Sequence, residues 1–206
     1  MKLNNKRTIL VGLAFLSICA FWQMYDSVVP LILTKTFHMN ETFSGAIMAA
    51  DNILALFLLP FFGSLSDRSH SKIGKRMPFI LFGTGCAVIL MNILPLLDNS
   101  YAAQPSGLKT ASFVIVLGLL LVTMGTYRSP AVALMPDVTP KPLRSRANAI
   151  INLMGAVGGI LYLGVAAVLY PNSKTAGLDH VNYQPLFIVV SAIMFIAIAV
   201  LFLTVK

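Results

Sequence analysis

Six apolar stretches, each long enough to cross a lipid bilayer as a helix, dominate this 206-residue sequence. A spanning helix needs roughly 20 mostly apolar residues. Only 11% of the residues are charged, whereas soluble domains carry about 25%. The composition therefore excludes most soluble enzymes and binding domains. We expect one all-α transmembrane bundle over residues 1–206, and the predicted spans are 9–34, 43–66, 78–97, 111–135, 147–170 and 185–205.

Lysine and arginine are concentrated in the loops on one side of these spans, and this bias predicts the orientation of the chain in the membrane. One side carries Lys2, Lys6, Arg7, Arg68, Lys72, Lys75, Arg76, Lys141, Arg144, Arg146 and Lys206, while the other carries Lys35, Lys109 and Lys174. We therefore expect a multi-pass protein of the cell membrane with both termini cytoplasmic. This placement accounts for the net charge of +8 without a nucleic-acid partner.

Three charged residues fall inside predicted spans, where charge is costly and usually lines a cavity or pathway. Asp26 and Asp51 each lie about 12 Å from the outer end of their helices, at a rise of 1.5 Å per residue. Arg128 lies about 10 Å from the inner end of its helix. The matching depth of the two carboxylates favours one shared polar cavity, with proton or sodium coupling as the functional hypothesis. The alternative is that each Asp pairs with a polar neighbour and holds helices together.

Polar and aromatic residues near these charges are candidates for substrate binding. Gln23 shares a helix face with Asp26, and Pro30 on that face frees a backbone carbonyl. Aromatic rings beside the charges, at Trp22, Tyr25 and Tyr127, can stack on a ligand ring or simply pack. In the fifth span a small and polar stripe favours helix packing over ligand contact; its members are Asn148, Asn152, Gly155 and Gly159.

The loop after the second span reads GSLSDRSHSKIGKRMPFI from Gly63 to Ile80. It places the acid Asp67 at the end of one helix and a basic cluster at the start of the next. This arrangement resembles the loop signature of the major facilitator superfamily. The resemblance implies a cytoplasmic gate latch made by Asp67, Arg68, Lys75 and Arg76 with the motif glycines Gly63 and Gly74, and Asp137 as a further member. A plain charged helix terminus is the alternative for Asp67.

The longer form of this motif is similar to the sucrose-transporter and glycoside–pentoside–hexuronide cation symporter branch. Two further stretches fit that branch, FWQMYDSVVP from Phe21 and YRSPAVALMPD from Tyr127, although Met77 stands where a basic residue is usual. The resemblance implies Asp26 and Asp51 as cation-coupling residues and Arg128 as a substrate or coupling residue. It also implies a sugar or glycoside substrate, no cofactor, and H⁺ or Na⁺ as the coupling ion. The candidate substrate-binding residues are Gln23, Tyr25, Asp26, Tyr127, Arg128 and Asn152.

A complete transporter of this superfamily has twelve spans in two six-helix halves, each made of two inverted three-helix repeats. Six spans correspond to the N-terminal half, and Pro30 after Asp26 faintly repeats as Pro130 after Arg128. We expect a fragment or engineered half, a truncated product, or a natural half that pairs with a second copy. The competing hypothesis is a non-transporting membrane protein that binds a partner or ligand. An enzyme is not expected, because HExxH and GxSxG motifs are absent.

Overall fold

A computed structural model of the chain describes residues 4–204, and the spans within them are all helical. Its elements are α1 (Asn5–Leu31) continued by a π-helix (Ile32–Thr36), α2 (Glu41–Asp67), α3 (Met77–Ala103), α4 (Gly107–Val138), a 3₁₀ turn (Lys141–Leu143), α5 (Arg144–Leu169), the single-turn α6 (Asn172–Thr175) and α7 (Gln184–Thr204). Within this described part, six helices are long and apolar enough to cross a membrane. The prediction of an all-α six-span bundle is confirmed.

The helices run past the predicted spans at most ends, since a helix continues into the polar interface after its apolar stretch stops. The largest extension is in α3, which ends at Ala103 rather than at residue 97 and so includes Asp98. Lys2, Val205 and Lys206, which entered the predicted orientation and the last predicted span, lie outside the described residues.

The packing of the spans follows an internal repeat. Helix α1 packs on α5 and α7, α4 packs on α2 and α3, and α3 packs on α7. If α1, α2 and α3 are exchanged with α4, α5 and α7 in that order, every neighbouring pair becomes a pair of the same set. That correspondence is the one expected of two three-helix repeats.

The contact between α1 and α5 depends on small residues of α5. A Cβ atom added at Gly158 would lie 2.1 Å from the carbonyl oxygen of Leu16, so only glycine allows this approach. In the same helix contact, a Cβ atom added at Gly155 would lie 2.9 Å from the Sγ atom of Cys19. Gly155 of the predicted stripe thus packs against α1, whereas Asn148 and Asn152 are exposed. Gly158, outside the predicted stripe, makes the closest approach.

Helix α1 becomes irregular directly after the polar face that it presents. Pro30 lacks an amide hydrogen, so the carbonyl of Asp26 loses its α-helical partner. The hydroxyl of Thr34 donates to the carbonyl of Pro30 at 2.8 Å, and the chain continues as the π-helix. This irregular segment carries α1 to the end of the bundle where Thr36 is buried.

Candidate functional site

At one end of the bundle, Arg76 joins three helices through a network of charged groups. Its Nη2 donates to Oδ1 of Asp67 at 2.6 Å, and its Nε donates to Oδ2 of Asp137 at 2.8 Å. Its Nη1 donates to the hydroxyl of Ser66 at 2.8 Å. Lys75 adds ion pairs at 3.3 Å to Asp137 and 3.8 Å to Asp67. We call the set Asp67, Lys75, Arg76 and Asp137 the latch, and this end of the bundle the latch end.

The remaining residues of the predicted gate surround the latch without joining its ion pairs. Gly74 has φ +99°, a left-handed turn that brings Lys75 and Arg76 back toward α2. Gly63 lies one helical turn before Asp67, where an added Cβ would be 3.1 Å from the hydroxyl of Ser129. Arg68 is exposed and forms no ion pair with any residue from 4 to 204. The latch is therefore centred on Arg76, which is almost completely buried.

Near the middle of the bundle, a recess brings charged and aromatic residues of three helices together. Asp51 of α2, Trp22 of α1 and Arg128 of α4 all line it. The guanidinium carbon of Arg128 lies 5.3 Å from the centroid of the Trp22 ring, a cation–π contact. The indole Nε1 is buried and has no hydrogen-bond acceptor among the described residues. The recess therefore combines a cation with an aromatic side chain.

The two predicted coupling residues lie close enough for their charges to interact. Asp51 acts electrostatically on Asp26 across the gap between α2 and α1. Asp26 is exposed and Asp51 is half-buried, and the side-chain amide of Asn52 donates to Asp51 at 2.9 Å. No ion pair joins either carboxylate to Arg128 within residues 4–204. The structure thus places two carboxylates and one guanidinium at a shared polar face without neutralising them.

The predicted substrate-binding residues divide into exposed and buried groups. Gln23 and Asn152 are exposed, on α1 and α5. Tyr25 and Tyr127 are 1% and 0% exposed and lie in the hydrophobic core. The Tyr127 hydroxyl donates to the carbonyl of Ala14 at 2.9 Å and also bonds to Ser17. Contact of either tyrosine with a substrate would require the helices to move.

A second polar cluster, absent from the sequence-based prediction, lies at the end opposite the latch. Asp98 of α3 is 0% exposed, and its Oδ1 lies 3.9 Å from Nδ1 of His180. His180 contacts Thr36 at 3.1 Å and Asn99 at 3.0 Å. Asp98 comes one residue after the predicted end of the third span, and no spacing pattern connects it to a histidine 82 positions later. The only signal in the sequence is a carboxylate directly after a long apolar run.

Metal binding finds no support in the described part of the chain. Residues 4–204 contain no group of three or more His, Cys, Asp or Glu side chains placed to hold a metal ion. Cys19 and Cys86 are free and partly buried.

Comparison with known proteins gives one family and several relatives. The sequence model described as Major Facilitator Superfamily matches residues 11–206. The chain is 34% identical over 145 residues to the sucrose transport protein SUC3 of Arabidopsis thaliana, covering 65% of this chain and 24% of that protein. It is 33% identical over 141 residues to the sucrose transport protein SUT3 of Oryza sativa subsp. indica, covering 62% and 28%.

A bacterial relative matches over a longer stretch. The chain is 26% identical over 179 residues to the alpha-ketoglutarate permease of Escherichia coli (strain K12), covering 85% of this chain and 38% of the permease. The chain thus spans from 24% to 38% of the length of these three relatives. No solved structure matches.

Proposed function

The chain belongs to the major facilitator superfamily, and on this premise we propose that it forms one six-helix half of a cation-coupled sugar or glycoside symporter. The family match confirms the resemblance expected from the loop between α2 and α3. The chain is a multi-pass membrane protein, and its relatives carry the names of transport proteins. The observation that most supports this proposal is the polar face to which Asp26, Asp51 and Arg128 all contribute.

The exposure of these charges supports a second half. Asp26 lies in the interior of a predicted span and is exposed, and the neighbouring face also exposes Gln23 and Asn52. Such groups are costly against lipid and normally face a bundle interior or a water-filled cavity. A second six-helix unit, in the same polypeptide or in a second copy, would cover this face and enclose the cavity. The substrate would then bind between the two units.

Asp26 and Asp51 would supply the coupling site. Two carboxylates that repel each other favour a state in which a cation or a proton lies between them. Binding that cation offsets the repulsion, so cation occupancy can determine which conformation the bundle prefers. Because Asp51 lines the recess and interacts electrostatically with Asp26, a substrate bound in the recess would be close enough to influence cation binding.

Trp22 and Arg128 would recognise the substrate. A tryptophan ring offers an apolar face to the C–H groups of a sugar ring, and guanidinium N–H groups donate hydrogen bonds to its hydroxyls. Nε1 of Trp22, which has no acceptor among the described residues, would be a further hydrogen-bond donor. Transport proteins named for sucrose are among the relatives, in keeping with this substrate class.

The latch would hold the two repeats together at the cytoplasmic end. Arg76 follows the α2–α3 loop of the first repeat, and Asp137 lies at the end of α4 in the second. Alternating access requires that contacts of this kind form in one conformation and break in the other. The concentration of basic residues at the latch end supports a cytoplasmic location for this end in the cell membrane.

Trp22 provides a direct binding test, since it is the only tryptophan in the sequence. Intrinsic fluorescence should be followed in mild detergent while sucrose, other glycosides and alpha-ketoglutarate are titrated separately. The proposal predicts a saturable change with a sugar or glycoside, strengthened by H⁺ or Na⁺. A response to alpha-ketoglutarate alone would contradict the substrate class. A strict monomer that responds to none of these compounds would favour the competing function, a non-transporting membrane protein.

A further inference from the structure

We propose that Asp98 and His180 form a buried proton-binding site at the end of the bundle opposite the latch. This end is called the far end below. The site is separate from the Asp26–Asp51 face, and it does not depend on the proposed transport function. It would hold one proton, either on the carboxylate or on the imidazole Nδ1 that faces it at 3.9 Å.

The carboxylate of Asp98 is the reason to expect a bound ligand. Its residue is 0% exposed, and neither Oδ1 nor Oδ2 has a partner within 3.5 Å among the described residues; the Thr36 hydroxyl lies near enough to interact with it more weakly. A buried ionised carboxylate without compensation is strongly unfavourable, so such groups are paired or neutralised. Either a proton on the carboxylate or a charged imidazole beside it would remove that cost.

The hydrogen bonds of His180 show where the additional proton can go. The Asn99 amide nitrogen donates to Asn182 Oδ1 at 2.9 Å, which directs the Asn99 oxygen toward His180. Nε2 of His180 lies 3.0 Å from that oxygen and therefore carries a hydrogen. Nδ1 is then left as an acceptor for Thr36 at 3.1 Å, and it faces Asp98 at 3.9 Å. A further proton would reside on this nitrogen or on the carboxylate opposite it.

No other charged side chain near Asp98 takes the place of this proton. On the π-helix Lys35 is exposed, and in the loop before α7 Lys174 and Asp179 are exposed. At the start of α4, the Lys109 ammonium donates to the carbonyls of Ser100 and Gln104, at 2.7 and 2.9 Å. Helix α7 carries no charged residue between Gln184 and Thr204.

The remaining titratable group that interacts electrostatically with Asp98 is the neutral phenol of Tyr183, which directly precedes α7. His180 is therefore the one basic group within ion-pair distance of Asp98 among the described residues.

A proton suits this site better than a metal cation. Hard cations in proteins are held by several oxygen atoms at once. Here the Asn99 oxygen is already bound to Nε2, and the Thr36 hydroxyl is bound to Nδ1. The two carboxylate oxygens would be the only free oxygen ligands among these side chains. The imidazole nitrogen beside them is a proton acceptor.

The location gives the proton a structural consequence. His180 connects the end of α1 and the end of α3, both in the first repeat, to the loop before α7 in the second. Loss of the proton would leave the buried carboxylate uncompensated and weaken this connection. Proton occupancy would therefore stabilise this connection between the two repeats.

Thermal unfolding of the full chain in detergent from about pH 5 to about pH 9 tests the site across the histidine range. Asp98→Asn replaces the carboxylate by a neutral group of the same shape, and Asp179→Asn, at an exposed position beside His180, is the matched control. A native state that binds one more proton than the unfolded chain loses stability as the pH rises. Relative to Asp98→Asn, the unsubstituted chain should lose about 3–5 °C in Tm per pH unit once the site begins to titrate.

Each other outcome counts against the proposal. The proposal would be overturned if the Tm values of the unsubstituted chain and Asp98→Asn changed with pH in parallel. It would also be overturned if Asp179→Asn altered the pH dependence of Tm as much as Asp98→Asn does. Failure of Asp98→Asn to fold at any pH would also overturn it, because a proton site should accept the neutral amide. A Tm that rises with sodium at constant ionic strength, and only when Asp98 is present, would assign the site to a metal cation instead.

Discussion

The guanidinium of Arg76 connects to Asp137 by a 2.8 Å hydrogen bond from Nε to Oδ2, and the two residues are 61 positions apart. The arginine side chain is 8% exposed, against 29% for Asp137. A buried guanidinium with carboxylates on two of its edges makes short, directional bonds that lysine cannot copy. This pair joins the two three-helix repeats at the latch end.

Removing Arg76 should destabilise the bundle. Arg76→Gln deletes both ion pairs and leaves the Ser66 hydroxyl without its donor, so we expect a loss of about 2 kcal/mol or more. Arg76→Lys should recover only part of this loss. Thermal unfolding in detergent measures the effect, with Arg68→Gln as the matched control that changes stability by less than about 0.5 kcal/mol. Equal losses for the two glutamine variants would show that the latch geometry is wrong.

A side chain at Gly158 should separate α1 from α5. Gly158→Ala places a Cβ atom against the backbone of Leu16, and relieving such overlap costs about 1–3 kcal/mol. Gly164→Ala is the control on the same helix, since an added Cβ there meets nothing within 4 Å. That variant should be neutral or slightly stabilising, because alanine favours the helix. If both alanines had the same effect on thermal unfolding, the close packing at Gly158 would be refuted.

These predictions differ in how far the sequence alone anticipates them. The six spans follow from apolar length, and the latch loop is recognisable because its acid, glycine and bases are close in sequence. Gly158 and Asp98 were not anticipated. Which glycine of α5 touches α1 depends on helix rotation, and the partner of Asp98 lies in a distant loop. The same limit applies to the predicted substrate contacts of Tyr25 and Tyr127, because periodicity does not tell whether a ring faces the cavity or the core.

Neutralising Asp51 should uncouple transport while leaving the fold intact. Asp51→Asn keeps the side-chain shape and the possibility of a hydrogen bond with Asn52, but removes one of the two interacting carboxylates. In proteoliposomes containing the chain with the proposed second six-helix unit, the substrate should equilibrate instead of accumulating. The variant Glu41→Gln, at the exposed start of the same helix, should behave like the unsubstituted protein. Full gradient-driven accumulation by Asp51→Asn would remove Asp51 from the coupling site.

The Trp22 ring should be needed for substrate affinity. Trp22→Ala removes both the ring and its cation–π contact with Arg128, so we expect the Kd for the sugar to rise about tenfold. Trp22→Phe should lose less, because an aromatic face remains. Calorimetric titration of the sugar measures the change, with the exposed Phe82→Ala on α3 as the control. An unchanged Kd in Trp22→Ala would place the substrate elsewhere.

Uptake driven by a cation gradient tests the central claim most directly. Proteoliposomes containing the six-helix chain with the proposed second unit should be loaded at one pH and sodium concentration and diluted into a buffer with another, with a labelled glycoside outside. We predict accumulation against the glycoside gradient, up to about tenfold per unit of pH gradient for one proton per substrate. Accumulation should end when the gradient is collapsed by an ionophore. Uptake that ignores both the proton and the sodium gradient would contradict coupled symport.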